Sequence, residues 1–208
     1  NFLFSKNSTL KLSPSQNMIL MGDKTPIVYD LTKFNNLTNN QILDLGDLPQ
    51  SYFINLEKGQ DILKSKFIND NKIILVLGKR NKKVENISFF ENKNGWKEVK
   101  SYDLKPFFIR HIPQRGDGIS YAPSISPSGE KVSFIPSDLN KIIIFSLKGS
   151  LKKQEIKNIN LGFYTQHFDS SGNILITSDR HRLVTSFQLN STPPSKKFHL
   201  QGTNENIR

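Results

Sequence analysis

The chain has no cysteine, one tryptophan, two methionines and four histidines among its 208 residues. Without cysteine there are no disulfides, no thiolate nucleophile and no cysteine-ligated metal, and the absence favours an intracellular home, nuclear, nucleolar or cytoplasmic. The histidines (His111, His167, His181 and His199) stand at no i,i+2 or i,i+4 spacing, so no metal site is legible. There is no G-x-S-x-G elbow and no readable Ser/His/Asp set. Gly22-Asp23-Lys24-Thr25 lacks the earlier glycine and the Gly-Lys pair of a phosphate loop. These absences argue against an enzyme; no catalytic residue, metal ligand or cofactor is assigned. No apolar run approaches the roughly 18 residues that span a bilayer. The chain opens on Asn1 rather than Met, which suggests a piece of a longer protein.

Acidic residues are the scarcer sign of charge. Lys and Arg total 29 against 18 Asp and Glu, a net charge of +11 that favours acidic partners: nucleic acid, acidic protein segments or anionic lipid. The competing reading is solubility combined with a compositional bias toward lysine. Four N-glycosylation sequons occur, at Asn7, Asn36, Asn86 and Asn190, in a chain so rich in Asn, Ser and Thr that chance accounts for them. The adhesion tripeptide Arg115-Gly116-Asp117 has no disulfide-bonded context to support it.

A repeat is present. A short apolar run, a compact polar turn and a second apolar run recur four times, starting at Leu12, Phe67, Ile125 and Phe168, at spacings of about 55, 58 and 43 residues. The turns contain Pro14-Ser15, Asn69-Asp70, Pro127-Ser128-Gly129 and Ser170-Ser171-Gly172, all turn formers. Period-2 alternation and β-branched clumps predict all-β structure. Four strands, a to d, are expected per copy. The second strands fall at 18–21, 72–77, 131–135 and 173–177, and the third at 27–31, 84–91, 141–147 and 183–189. The fourth strands are placed at 41–45, 96–102, 154–159 and 197–200, with Asn94-Gly95 a strong hairpin signal.

Leu12-Ser13-Pro14-Ser15 through Val28-Tyr29-Asp30-Leu31, and Ile125-Ser126-Pro127-Ser128-Gly129 through Ile144-Phe145-Ser146-Leu147, resemble the repeats of WD40-like β-propellers. Tyr29-Asp30 stands where that family has Trp-Asp; no copy has a true Trp-Asp or the preceding Gly-His. The resemblance implies a β-propeller with about four blades visible, part of a larger propeller that another chain or a missing segment completes. The blades are expected at about 8–45, 62–104, 120–160 and 161–200 within a propeller region 1–190, and 191–208 reads as a Ser/Thr/Pro/Lys-rich linker. The resemblance implies binding rather than an activity.

In that frame the tips between second and third strands share a face with the long connections 46–61 and 105–124. Lys79, Arg80, Lys82 and Lys83 from one tip, Arg180, His181 and Arg182 from another, and Arg110, His111 and Arg115 from the second connection then form a basic face. Tyr52, Phe53, Phe107, Phe108 and Tyr121 lie near it and could stack on bases. The expected function is a non-catalytic interaction scaffold in a multi-subunit complex of ribosome-assembly or chromatin type. Its partners would be other protein subunits and RNA or DNA phosphate backbone or an acidic peptide. The alternative is a secreted or membrane-attached binding propeller; a propeller enzyme ranks third.

Overall fold

A computed structural model describes residues 10–22, 24–32, 51–79, 83–110, 122–137, 140–157, 163–179, 183–191 and 194–200. The fold is all-β and of β-propeller class, with four sheets that are each a four-stranded antiparallel meander in chain order. The first sheet comprises β1 (Leu10–Leu12), β2 (Met18–Met21), β3 (Ile27–Asp30) and β4 (Ser51–Phe53). The second holds β5 (Gln60–Asn69), β6 (Lys72–Lys79), β7 (Val84–Asn92) and β8 (Trp96–Asp103). The third holds β9 (Ser124–Ile125), β10 (Lys131–Phe134), β11 (Lys141–Ser146) and β12 (Lys152–Lys157); the fourth holds β13 (Phe163–Phe168), β14 (Ile174–Asp179), β15 (Val184–Gln188) and β16 (Ser195–Leu200). The chain divides into two compact units at Pro106/Phe107, each with two sheets. Among the described residues no helix is long and apolar enough to cross a membrane.

Each repeat turn is built on one polar side chain. Ser13 Oγ accepts the Met18 N–H at 3.1 Å, Ser126 Oγ accepts the Lys131 N–H at 2.9 Å, and Asp169 Oδ1 accepts the Ile174 N–H at 2.9 Å. The main chain closes the same turns, with Ser13, Ser126 and Asp169 donating to Met18, Lys131 and Ile174 carbonyls. The carbonyl just before the second strand then accepts an N–H from the residue after the third: Leu31 to Asn17, Leu147 to Glu130 and Leu189 to Asn173. Three strands are thereby tied at one end by a side-chain oxygen and its neighbouring carbonyl, which satisfies backbone groups that no ladder reaches. The second sheet uses a tighter turn, where Asn69 Oδ1 accepts the Asn71 N–H, but keeps the last tie, Asn92 N–H to Asn71.

Within each unit the first strands of the two sheets lie side by side, β1 by β5 and β9 by β13. Their turns touch as well. The Ser15 hydroxyl donates to Asp70 Oδ1 at 2.8 Å, and Lys131 Nζ donates to the Gly172 carbonyl at 2.8 Å. In the first unit Leu20, Val28, Ile62, Phe67, Ile73, Leu75, Leu77, Phe90 and Trp96 form the core between sheets. In the second unit Ile135, Ile142, Ile144, Ile156, Phe163, Leu175 and Leu189 do the same, with Gln166 Nε2 donating across to the Ser133 carbonyl. Strands β6 and β11 are buried on both faces, so their sequences run apolar without alternating.

The structure corrects the sequence reading in two places. The fourth strand of the first sheet is Ser51–Phe53, inside the expected connection 46–61, and β5 extends back to Gln60. The expected strand 41–45 lies outside the described residues. The linker reading of 191–208 fails over Ser195–Leu200, where β16 pairs with β15. Both segments are polar and short, so pairing rather than hydrophobic pattern makes them strands.

The aligned turns expose a mismatch. Gly129 and Gly172 adopt φ of 73° and 70°, and the equivalent residue of the first turn is Gln16, at φ 62°. A side chain in this left-handed region costs roughly 1–2 kcal/mol. Gln16→Gly is therefore expected to raise the unfolding free energy by up to about 1 kcal/mol in denaturant titration. Gly172→Ala is expected to lower it by more than 1 kcal/mol, or roughly so, because an added Cβ would also meet Ser126 Cβ at 3.2 Å. A destabilising Gln16→Gly would contradict the alignment.

Asp169 occupies the position where the other turns have serine. Burial pushes its carboxyl up, but hydrogen bonds from Ser171, Ile174 and Asn173 outweigh that and hold it below the ordinary aspartate range. A depressed folded-state value means stability that is present above the unfolded pKa, near 3.9, and lost as pH falls through the folded value. Asp169→Ser should preserve the turn at neutral pH and flatten the acid limb of the stability–pH curve. Asp169→Ala should cost about 1–2 kcal/mol at pH 7, measured by chemical unfolding.

Candidate interaction surface

The basic tip of the second sheet is only partly free charge. Lys79 Nζ lies 3.1 Å from Glu85 Oε1, and that glutamate side chain is buried. The Lys79 N–H also donates to the Lys83 carbonyl, closing the tip. Lys79 is thus the counter-ion of a buried carboxylate as well as a surface cation, a partner visible in sequence only once the tip is folded. Lys83 and Arg110 are exposed, the first in the first unit and the second in the other. Arg80, Lys82, His111, Arg115, Arg180, His181 and Arg182 lie outside the described residues.

Much of the remaining positive charge sits on the last strand of each sheet. Lys97 and Lys100 on β8 and Lys152 and Lys153 on β12 are exposed. Lys153 Nζ pairs with Glu155 at 3.1 Å, and Lys100 Nζ sits 4.6 Å from the Tyr102 ring centroid. The last strand of a meander presents an unpaired row of backbone groups, and lysine there discourages edge-to-edge association. Part of the +11 is therefore edge protection.

The segment after β8 offers a different kind of site. A 3-10 turn, Lys105–Phe107, leads into Phe108. Phe107 packs edge-on against Phe145 at 4.9 Å between centroids, Phe145 in turn meets Phe134, and Lys153 Nζ lies 5.6 Å from the Phe107 ring. Ile109 is fully buried. Between these two anchors Phe108 is 79% exposed and holds φ at 50°. A left-handed aromatic is disfavoured, so its neighbours' packing holds it there. Arg110 follows, exposed. Of the other aromatics singled out in sequence, Tyr52 packs against the first core, Phe53 is exposed and Tyr121 lies outside the described residues.

The first sheet carries an apolar row that sequence inspection passed over. Leu10 pairs with Met21, Met21 with Ile27, and Ile27 with Phe53, so the four share one face. Leu10 is 54% and Phe53 58% exposed. The signal was the alternation Leu10, Leu12 around Lys11, legible only once β4 is known to be Ser51–Phe53.

If its neighbours hold Phe108 in strain, Phe108→Gly should stabilise the protein by up to about 1 kcal/mol, read from the thermal midpoint. A clear loss of stability would make Phe108 a packing residue. Compared with known proteins, the chain matches no protein-family model and no curated protein.

Proposed function

We propose that the chain is a non-catalytic protein-interaction scaffold, a WD40-like propeller segment that docks partner subunits in an intracellular assembly, nuclear or cytoplasmic. Blades of this class give a rigid support whose loops carry recognition. The observation that carries the reading is Phe108: a large apolar side chain in water, in a strained backbone, fixed by Phe107 and Ile109 on either side. A rigid aromatic loses little entropy on docking and fits a partner's pocket, and Arg110 beside it is a second residue type enriched at binding hot spots. The positive charge at Lys79–Lys83 and Arg180–Arg182 supports a nucleoprotein setting. A secreted role is less well supported, because the Asn86 sequon lies within β7 with its side-chain oxygen buried.

The test is size fractionation of the protein from its native source under non-denaturing conditions. The wild-type chain should elute in a complex much larger than 23.8 kDa. Phe108→Asp should weaken that complex by at least about 30-fold, as expected for loss of a hot spot worth about 2 kcal/mol. An unchanged elution profile would overturn the docking role of Phe108. For the nucleic-acid component, RNA binding should fall steeply with salt. Reversing Lys79, Arg80, Lys82 and Lys83 to glutamate should weaken it, and unchanged RNA affinity would remove that component.

A further inference from the structure

The first strands of the two sheets in the first unit bring lysines together. Lys11 is the middle residue of β1, which lies beside β5. Lys64 and Lys66 follow a bulge after Ile62 and share one face of β5, because residues two apart in a strand project the same way. Both are half-buried. They pair across to Val76 and Ile74, which are fully buried, so their stems rise from an apolar floor. Burial, and then the charges of Lys11 and Lys66, hold the Lys64 ammonium below the ordinary lysine range, and burial does the same to Lys66.

Other half-buried lysines of this protein have visible partners. Lys72 pairs with Glu91 at 2.9 Å, and Lys131 binds the Gly172 carbonyl and Asn173 Oδ1. Among the described residues no carboxylate forms an ion pair with Lys11 or Lys64, and Asp61, earlier on the same strand, does not do so. Like charges gathered on partly buried ground repel one another and disfavour their own charged forms. A multivalent anion would offset that repulsion.

We propose that Lys11, Lys64 and Lys66 form a binding site for a small phosphate-class anion where the two first strands meet. Three ammonium groups on flexible stems suit the spread charge of a phosphate or diphosphate, which lysine binds as a point charge without the planar match arginine needs. The site is separate from Phe108 and stands whether or not that residue docks a partner.

Competitive acetylation of the whole chain, read by peptide mass spectrometry with inorganic pyrophosphate as the probe, tests the site. At pyrophosphate about ten times its Kd, labelling of Lys64 and Lys66 should fall about tenfold, while Lys97 and Lys152 on the outer strands label as before. Lys64→Gln should remove the protection at Lys66 and, by relieving repulsion, raise the melting temperature without anion. Equal protection of all lysines, or none at Lys64 and Lys66, would overturn the site. Protection by a polyglutamate peptide where pyrophosphate gives none would overturn its phosphate class. A lower melting temperature for Lys64→Gln would make the lysine a structural residue instead.

Discussion

The structure depends on a turn that spends one polar side chain to close three strands. Ser13, Ser126 and Asp169 each accept the N–H five residues on, and the carbonyl before the second strand accepts from the residue after the third. Strands of three or four residues, such as β1 and β2, bury little by themselves. The turn supplies order that the ladder alone is too short to give. It also fixes where the next sheet's turn can sit, as the Ser15–Asp70 and Lys131–Gly172 bonds show.

With those ends fixed, the rest of each sheet is free to specialise. The middle strands bury both faces and carry apolar runs. The last strands face outward and carry lysine. The first strands meet their neighbours and, in the first unit, gather Lys11, Lys64 and Lys66. The protein's positive charge is thus divided among edge protection, a counter-ion for Glu85 and clusters available for binding. Net charge alone could not make that division.

Strand order and turn position were legible in the sequence because both rest on local chemistry: turn formers at fixed offsets and β-branched runs between them. Asn94-Gly95 announced the β7–β8 hairpin, and Asn92 indeed pairs with Trp96 across it. The last strands were harder. Ser51–Phe53 and Ser195–Leu200 are polar or short, and only their partners make them strands. For the candidate surface, Phe108 was visible as a loop aromatic, but its exposure depends on Phe107 reaching Phe145, a contact 38 residues away in sequence. Glu85 as partner of Lys79, and Lys64 beside Lys11, required the register of paired strands. Most of the basic face, including Arg80, Lys82, His111, Arg115 and Arg180–Arg182, lies outside the described residues.

Amide hydrogen exchange resolved to single residues tests the turn account most directly. If the turns tie three strands, the N–H groups of Met18, Lys131 and Ile174, and of Leu31, Leu147 and Leu189, exchange as slowly as the strand interiors beside them. Exchange of these six amides at the rate of exposed loop groups, with β10 and β14 still protected, would contradict it.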